Sequence, residues 1–343
     1  MLTATQATKP VFNRTPSAVA LSDSGSDLKI PVIDLSDALE PGGPRCAEVA
    51  AGMRAAAQAA GFFYVTHHGI AQDVIDRQFK GVAQLFDLSA DLKDAVATRH
   101  SSCSRGYEAL GAQTLDADAL PDLKESFYCG IDYPAHHPYV VRKHHTYGMN
   151  QWPDGLPGLA ENSSSYIALM SRLAVRLMQL MALSLDLPED YFDGMHDSPM
   201  VTLRFLRYPP QPVNADGKTF GAGAHTDWGA ITILAQDSHG GLEVSMPDGS
   251  WVPAPPIPAS LVVNLGDMIP RWTNGRYHSN PHRVRNVFSG GKPRHSIPFF
   301  YNPDYEALVQ PVATCLTDGV SAFESCTVGE HLRAMHLKTH ASN

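Results

Sequence analysis

Polar and apolar positions set out a chain that is mixed in its first half and strand-rich in its second. The run IPVIDLSD, from Ile30, reads as a strand passing into a helix start. The Ala-rich stretch Pro44 to Ala60 has strong helix propensity, and Gly61 stands just past its end. GFFYVTHHGI then predicts a buried strand that leaves through a turn at Gly69. Residues 71–86 return to helical spacing, with Val74, Phe79, Val82 and Phe86 as the candidate buried face. From Ser101 to Pro157 the pattern dissolves into Gly, Pro, His and aromatic residues. A stretch of that kind inside a compact domain points to function, and loops and short strands covering one side of a pocket are expected.

A helix is predicted from about Asn162 to Leu185, where Ile167, Met170, Ala174, Leu177 and Met181 recur at spacings of 3, 4, 3 and 4. Such a stripe packs a core. From Met200 onward the period becomes that of strands: VTLRFLRY, AITILAQ, GLEVSM, WVPAPP, SLVVNLG and RHSIPFFY, divided by turn signals HGG, PDG and SGG. Short strands at regular spacing predict a sandwich or barrel. Thr327 and Glu330 fit a capping box that opens a last helix, Glu330 to about Lys338. This gives an α+β chain with a mainly β core, in three parts: a flexible tail over 1–27, a helix and strand region over 28–160, and a β core with its long supporting helix over 161–343.

A net charge of −9 over 343 residues argues against a nucleic-acid surface and against a polybasic membrane face. The five cysteines are scattered and never in C-x-x-C spacing, which suits a reducing compartment, and a cytoplasmic location is expected. The first residues lack the apolar core of a secretory signal. His67-His68, His136-His137 and His144-His145 are adjacent pairs whose side chains diverge on a strand, and they are expected on surfaces or loops.

The densest chemistry lies in GAHTDWGAITIL. On an extended strand His225 and Asp227 project to one side while Thr226 faces the other. His282 follows in TNGRYHSNPHRV. Two imidazoles and one carboxylate form the facial triad that holds a redox iron with positions left open. The bland alternative is a satisfied His–Asp pair. No cysteine lies near to build a structural zinc site, while a catalytic zinc with His₂-carboxylate ligation leaves a hydrolase as an alternative. A second group is Arg294-His295-Ser296, whose guanidinium and hydroxyl share one strand face and can grip one carboxylate. The alternative there is a surface arginine beside a satisfied serine.

Read together, GAHTDWGAITIL, VVNLGD, TNGRYHSNPHRV and RHSIPFF resemble the iron(II)/2-oxoglutarate-dependent oxygenases of the isopenicillin N synthase-like group. IPVIDLSD and GFFYVTHHGI resemble that group's N-terminal domain, so the likeness runs from about Leu28 to the end. It implies a distorted double-stranded β-helix, or jelly roll, with flanking helices. It implies His225, Asp227 and His282 as Fe(II) ligands, with Arg294 and Ser296 on the distal carboxylate of 2-oxoglutarate and Tyr208 assisting. The implied reaction consumes 2-oxoglutarate and O₂, with ascorbate as an auxiliary reductant. It releases succinate and CO₂, and forms an iron(IV)-oxo species that hydroxylates, desaturates or cyclises a small organic metabolite. Phe300 and Phe127 in DLKESFYCG are the candidate substrate contacts, each with core packing as its alternative. A monomer is the family-level expectation.

One departure stands out. Plant members carry Asn two residues before the Tyr of the Y-P segment, and here that position is Leu206. Isopenicillin N synthase itself uses no 2-oxoglutarate, so an Fe(II) oxidase independent of that co-substrate stays open, as does a non-catalytic sensor on the same fold.

Overall fold

The computed structural model describes residues 29–112, 122–144, 146–210, 220–285 and 291–340; the expected tail over 1–27 and His145 lie outside them. The first region holds β1 (Val32–Asp34), α1 (Cys46–Ala59), β2 (Phe62–Thr66), α2 (Gln72–Phe86) and α3 (Ala90–Asp94). Among its described residues the loop-rich stretch carries β3 (Gly106–Glu108), β4 (Glu125–Cys129) and the one-turn α4 (Pro138–Val141). Helix α5 (Pro157–Ser184) leads into β5 (Met200–Tyr208), β6 (Ala222–His225), β7 (Ile231–Gln236), β8 (Leu242–Ser245), β9 (Trp251–Pro253) and β10 (Ser260–Leu265). The chain closes with α6 (Met268–Trp272), β11 (His282–Val284), β12 (Arg294–Asn302), the pair β13 (Leu308–Val309) and β14 (Cys326–Thr327), and α7 (Val328–His340).

Eight strands form one sheet in the order β1-β2-β10-β7-β12-β5-β4-β3, and four form a second in the order β6-β11-β8-β9. Apart from the parallel β1–β2 pair, neighbours run antiparallel. This is the jelly roll with flanking helices. The helices α1, α2 and α5 cover one face of the large sheet and share its main core. The other face meets the small sheet through Phe62, Tyr64, Leu206, Leu242, Val244 and Val284. Alternation along each large-sheet strand thus sorts side chains between a helix-covered core and an inter-sheet space.

The predicted stripe of α5 is buried at all five positions. The helix begins earlier than expected, at Pro157, because proline at the first helical turn needs no amide partner and Leu159 and Ser163 are buried there. On α2 the buried face is Ile75, Gln78, Val82, Leu85 and Phe86; Val74 and Phe79 are half-buried beside it. The capping box forms: Glu330 accepts from the Thr327 amide at 2.8 Å, and Thr327 Oγ1 accepts from the Glu330 amide at 3.2 Å. The helix extends further than expected, through His340. His68 corrects the expectation for the histidine pairs. It is buried, its Nδ1 accepts from the Ile70 amide, and burial pushes its pKa down to about 4. His144 stacks on Tyr305 and His137 on Tyr147, both half-buried.

Gly61 joins α1 to β2 with a φ of +65°, and a Cβ there would lie 2.1 Å from the His278 carbonyl oxygen. Gly61→Ala is expected to lower the unfolding free energy by about 1–3 kcal/mol. Urea denaturation would read this, and an unchanged midpoint would show that the close approach is not constraining.

Candidate metal centre

The small sheet assembles the triad. Strands β6 and β11 pair so that His282 lies directly opposite His225. Asp227 is not on β6, which ends at His225; it sits in the following turn. That turn is fixed from the large sheet: the Asp267 amide donates to Asp227 O at 2.8 Å, and the Gly266 amide to Ala230 O at 2.8 Å. Thr226, between the two ligands, donates to Asp267 Oδ2 at 3.0 Å, while Ser279 donates to Asp267 Oδ1 at 2.7 Å. The donor atoms of His225, Asp227 and His282 all fall within 4.8 Å of one another.

Each donor is aimed. His225 Nδ1 donates to Gly223 O at 2.7 Å, which leaves Nε2 for the cavity. Asp227 Oδ2 accepts from Thr232 Oγ1 at 2.6 Å and Asn264 Nδ2 at 2.7 Å, so Oδ1 faces His282 Nε2 at 3.9 Å. Phe62 meets the His282 ring edge-on. Burial, then the neighbouring His282, push His225 down to about 3, so it stays neutral. Burial alone would raise Asp227, but the two imidazoles and the bonds from Thr232 and Asn264 outweigh it and its pKa is lowered. A neutral His225 beside an ionised Asp227 is what a divalent metal needs of those two ligands. The donor set, two nitrogens and one oxygen with no thiolate, fits Fe(II) with open positions.

The same cavity carries the second predicted group. Arg294 is only 5% exposed, Nε donates to Gly240 O, and its guanidinium lies 4.8 Å from the Tyr208 ring centre. Its Nη1 is buried without a partner, and no carboxylate pairs with it among the described residues. Ser296 is buried two positions along, and both line the cavity with Tyr208 and Leu206. A buried guanidinium without a counter-charge is costly, which marks the place of an anion.

The substrate candidates divide. Phe300 lines the cavity. Phe127 does not: it is fully buried in the helix-side core, packed on Phe205 and Trp152. The cavity-facing residue of that segment is Lys124, which forms a buried ion pair with Asp122. Burial, then the charge of Arg204, push the Lys124 ammonium down to about 8, against the pull of Asp122. Lys124, Arg204, Thr232 and Asn264 escaped the sequence reading. The parity of DLKESFY held a signal for Lys124, since one face of that strand must carry 124, 126 and 128.

Comparison with known proteins agrees with this geometry. Residues 197–303 match the model of the 2OG-Fe(II) oxygenase superfamily, and residues 30–155 match the N-terminal model described as non-haem dioxygenase in morphine synthesis. A 2-oxoglutarate-Fe(II) type oxidoreductase of Emericella nidulans is 37% identical over 301 residues, covering 86% of this chain and 84% of its own. A 2-oxoglutarate-dependent dioxygenase of Didymella fabae is 41% identical over 288 residues, covering 81% and 87%. Among solved structures, a full-length Neurospora crassa protein crystallised in complex with alpha-KG superposes with a TM-score of 0.79 at 30% identity, over 90% of this chain and 96% of that one. The chain belongs to the 2-oxoglutarate/Fe(II)-dependent oxygenase family. It is an Fe(II)/2-oxoglutarate-dependent dioxygenase that oxidises a small molecule.

Asn264→Ala removes one of the two bonds that turn Asp227 toward the imidazoles. Affinity for Fe(II) or Co(II), read by anaerobic titration, is expected to weaken about 10–100-fold while the apo protein keeps its fold. Unchanged metal affinity would show that Thr232 alone orients the carboxylate.

Proposed function

We propose that His225, Asp227 and His282 hold the iron, that Arg294, Ser296 and Tyr208 grip the distal carboxylate of 2-oxoglutarate, and that a small organic metabolite is oxidised beside Phe300. The observation that carries this reading is the buried Arg294 guanidinium, with no carboxylate partner among the described residues, in the same cavity as the triad. When bound, Fe(II) supplies the redox chemistry that couples decarboxylation of 2-oxoglutarate to O₂-dependent oxidation of a C–H bond. The protein's own residues place the reactants. Arg294 offers its unpartnered Nη1 to a carboxylate, with Nε held by Gly240 O and Nη2 on Gln236 Oε1 at 3.4 Å; Ser296 adds a hydroxyl, and the Tyr208 ring shields the pair from water. Leu206, Leu234, Leu242 and Val284 give part of the cavity an apolar lining, which keeps solvent from the oxidant and sets the substrate's position. No side chain is required as a general acid or base. Hydroxylation is the primary outcome, with desaturation or ring closure set by where the substrate is held.

The family's use of 2-oxoglutarate favours this reading over an oxidase independent of it, even though Leu206 offers no hydrogen bond. The protein is read as a cytoplasmic monomer. Its five cysteines stand as free thiols, and its exposed large apolar side chains are scattered along the chain.

His225→Ala and Asp227→Ala should each abolish Fe(II)-dependent succinate formation with the fold intact by circular dichroism. Full activity in either variant would remove that residue from the metal site. Arg294→Ala should raise the KM for 2-oxoglutarate by about thirtyfold or more and leave iron affinity unchanged. An unaltered KM would place the co-substrate elsewhere.

A further inference from the structure

Lys124 has no part in the function assigned so far, yet it is buried on the wall of the reaction cavity. The β4–β5 register ends with Glu125 opposite Arg207; Lys124, one residue before it, lines the same cavity as Tyr208. Tyr208 in turn pairs with Arg294 across β5–β12. Arg294, Tyr208 and Lys124 therefore share the wall of one cavity. Asp122, the ion-pair partner of Lys124, is anchored to the metal side of the cavity: its Oδ1 accepts from the Gly223 amide at 2.9 Å, two residues before His225.

We propose that Lys124 is a second carboxylate-binding point of this cavity, holding the C1 carboxylate of 2-oxoglutarate beside the metal ligands. The proposal rests on the reading that Arg294 grips the distal carboxylate of that dianion. The C1 carboxylate then lies beside the metal ligands in a cavity whose wall also carries Leu206, Leu234 and Val284, where an oxygen lone pair left unmet is costly. An ammonium has three N–H donors and no acceptor. Asp122 takes one, which leaves two for an incoming carboxylate. Arg204 also lines the cavity, but it lies four strand positions from Tyr208, roughly 13 Å along β5, and is turned to Ser126 and Glu108. Lys124 is a positioning residue for the co-substrate.

The test is anaerobic calorimetric titration of Fe(II)-loaded protein with 2-oxoglutarate. Lys124→Gln should weaken binding about 10–100-fold, the loss of a charge-assisted bond, while Lys124→Arg stays near the parent value. Iron affinity should not move. Because Lys124→Gln strands the buried Asp122 charge, the variant is also made with Asp122→Asn. The weakening persists in that double variant if Lys124 binds the ligand. Recovery of affinity there would instead assign the loss to Asp122 and overturn the proposal. Equal affinity in Lys124→Gln and the parent would also overturn it, leaving the ion pair as a tether between β4 and β6. The penalties of Lys124→Gln and Arg294→Ala should multiply, since opposite ends of the ligand are released. A combined variant no weaker than Arg294→Ala alone would show both side chains on one carboxylate and overturn the assignment to C1. If Arg294→Ala leaves 2-oxoglutarate binding unchanged, the underlying reading fails, whatever Lys124 does.

Discussion

Everything in this fold depends on keeping one ionised carboxylate buried between two imidazoles. Asp227 has almost no water to stabilise its charge, and its pKa stays low because Thr232, Asn264 and the two histidines replace the solvent. Those four groups come from β7, β10, β6 and β11, which is both sheets at once. The jelly roll must therefore close before the site exists. Asp267 ties the closure together, with its amide on Asp227 and its carboxylate on Thr226 and Ser279. A divalent ion entering this site meets an ionised carboxylate in a pre-aimed donor set and need not reorganise it.

The same closure creates the second electrostatic feature. Arg294 sits on a central strand, covered on both faces, where a guanidinium would ordinarily be excluded. In the proposed binding mode its cost is offset by a dianion spanning from Arg294 to the metal. Metal and co-substrate are thus complementary parts of one charge distribution: the triad lacks positive charge, and the Arg294 end lacks negative charge. The apolar walls between them strengthen both attractions by excluding water.

Much of this is legible in the sequence because it is local. His225 with Asp227, and Arg294 with Ser296, are two residues apart, so the period of a strand is enough to group them. The α5 stripe is equally local, and all of its predicted positions are buried. The early start of α5 is hidden because ENSSS has no apolar period, and its helix is held by Pro157 and by packing. Strand period places Asp227 on a strand that in fact ends before it; the turn is set by amides of residues 266 and 267, which no local pattern reveals. Thr232 and Asn264 require the register between strands distant in sequence. Phe127 shows the parity problem most plainly: its segment does reach the cavity, but through Lys124 and the opposite strand face.

The most direct measurement is the visible absorption of the Fe(II)-loaded protein as 2-oxoglutarate is added without oxygen. Chelation of the co-substrate to iron held by His225, Asp227 and His282 predicts a weak charge-transfer band that saturates at one equivalent. Iron demonstrably bound, with no band at any concentration of 2-oxoglutarate, would contradict the shared metal and co-substrate cavity described here.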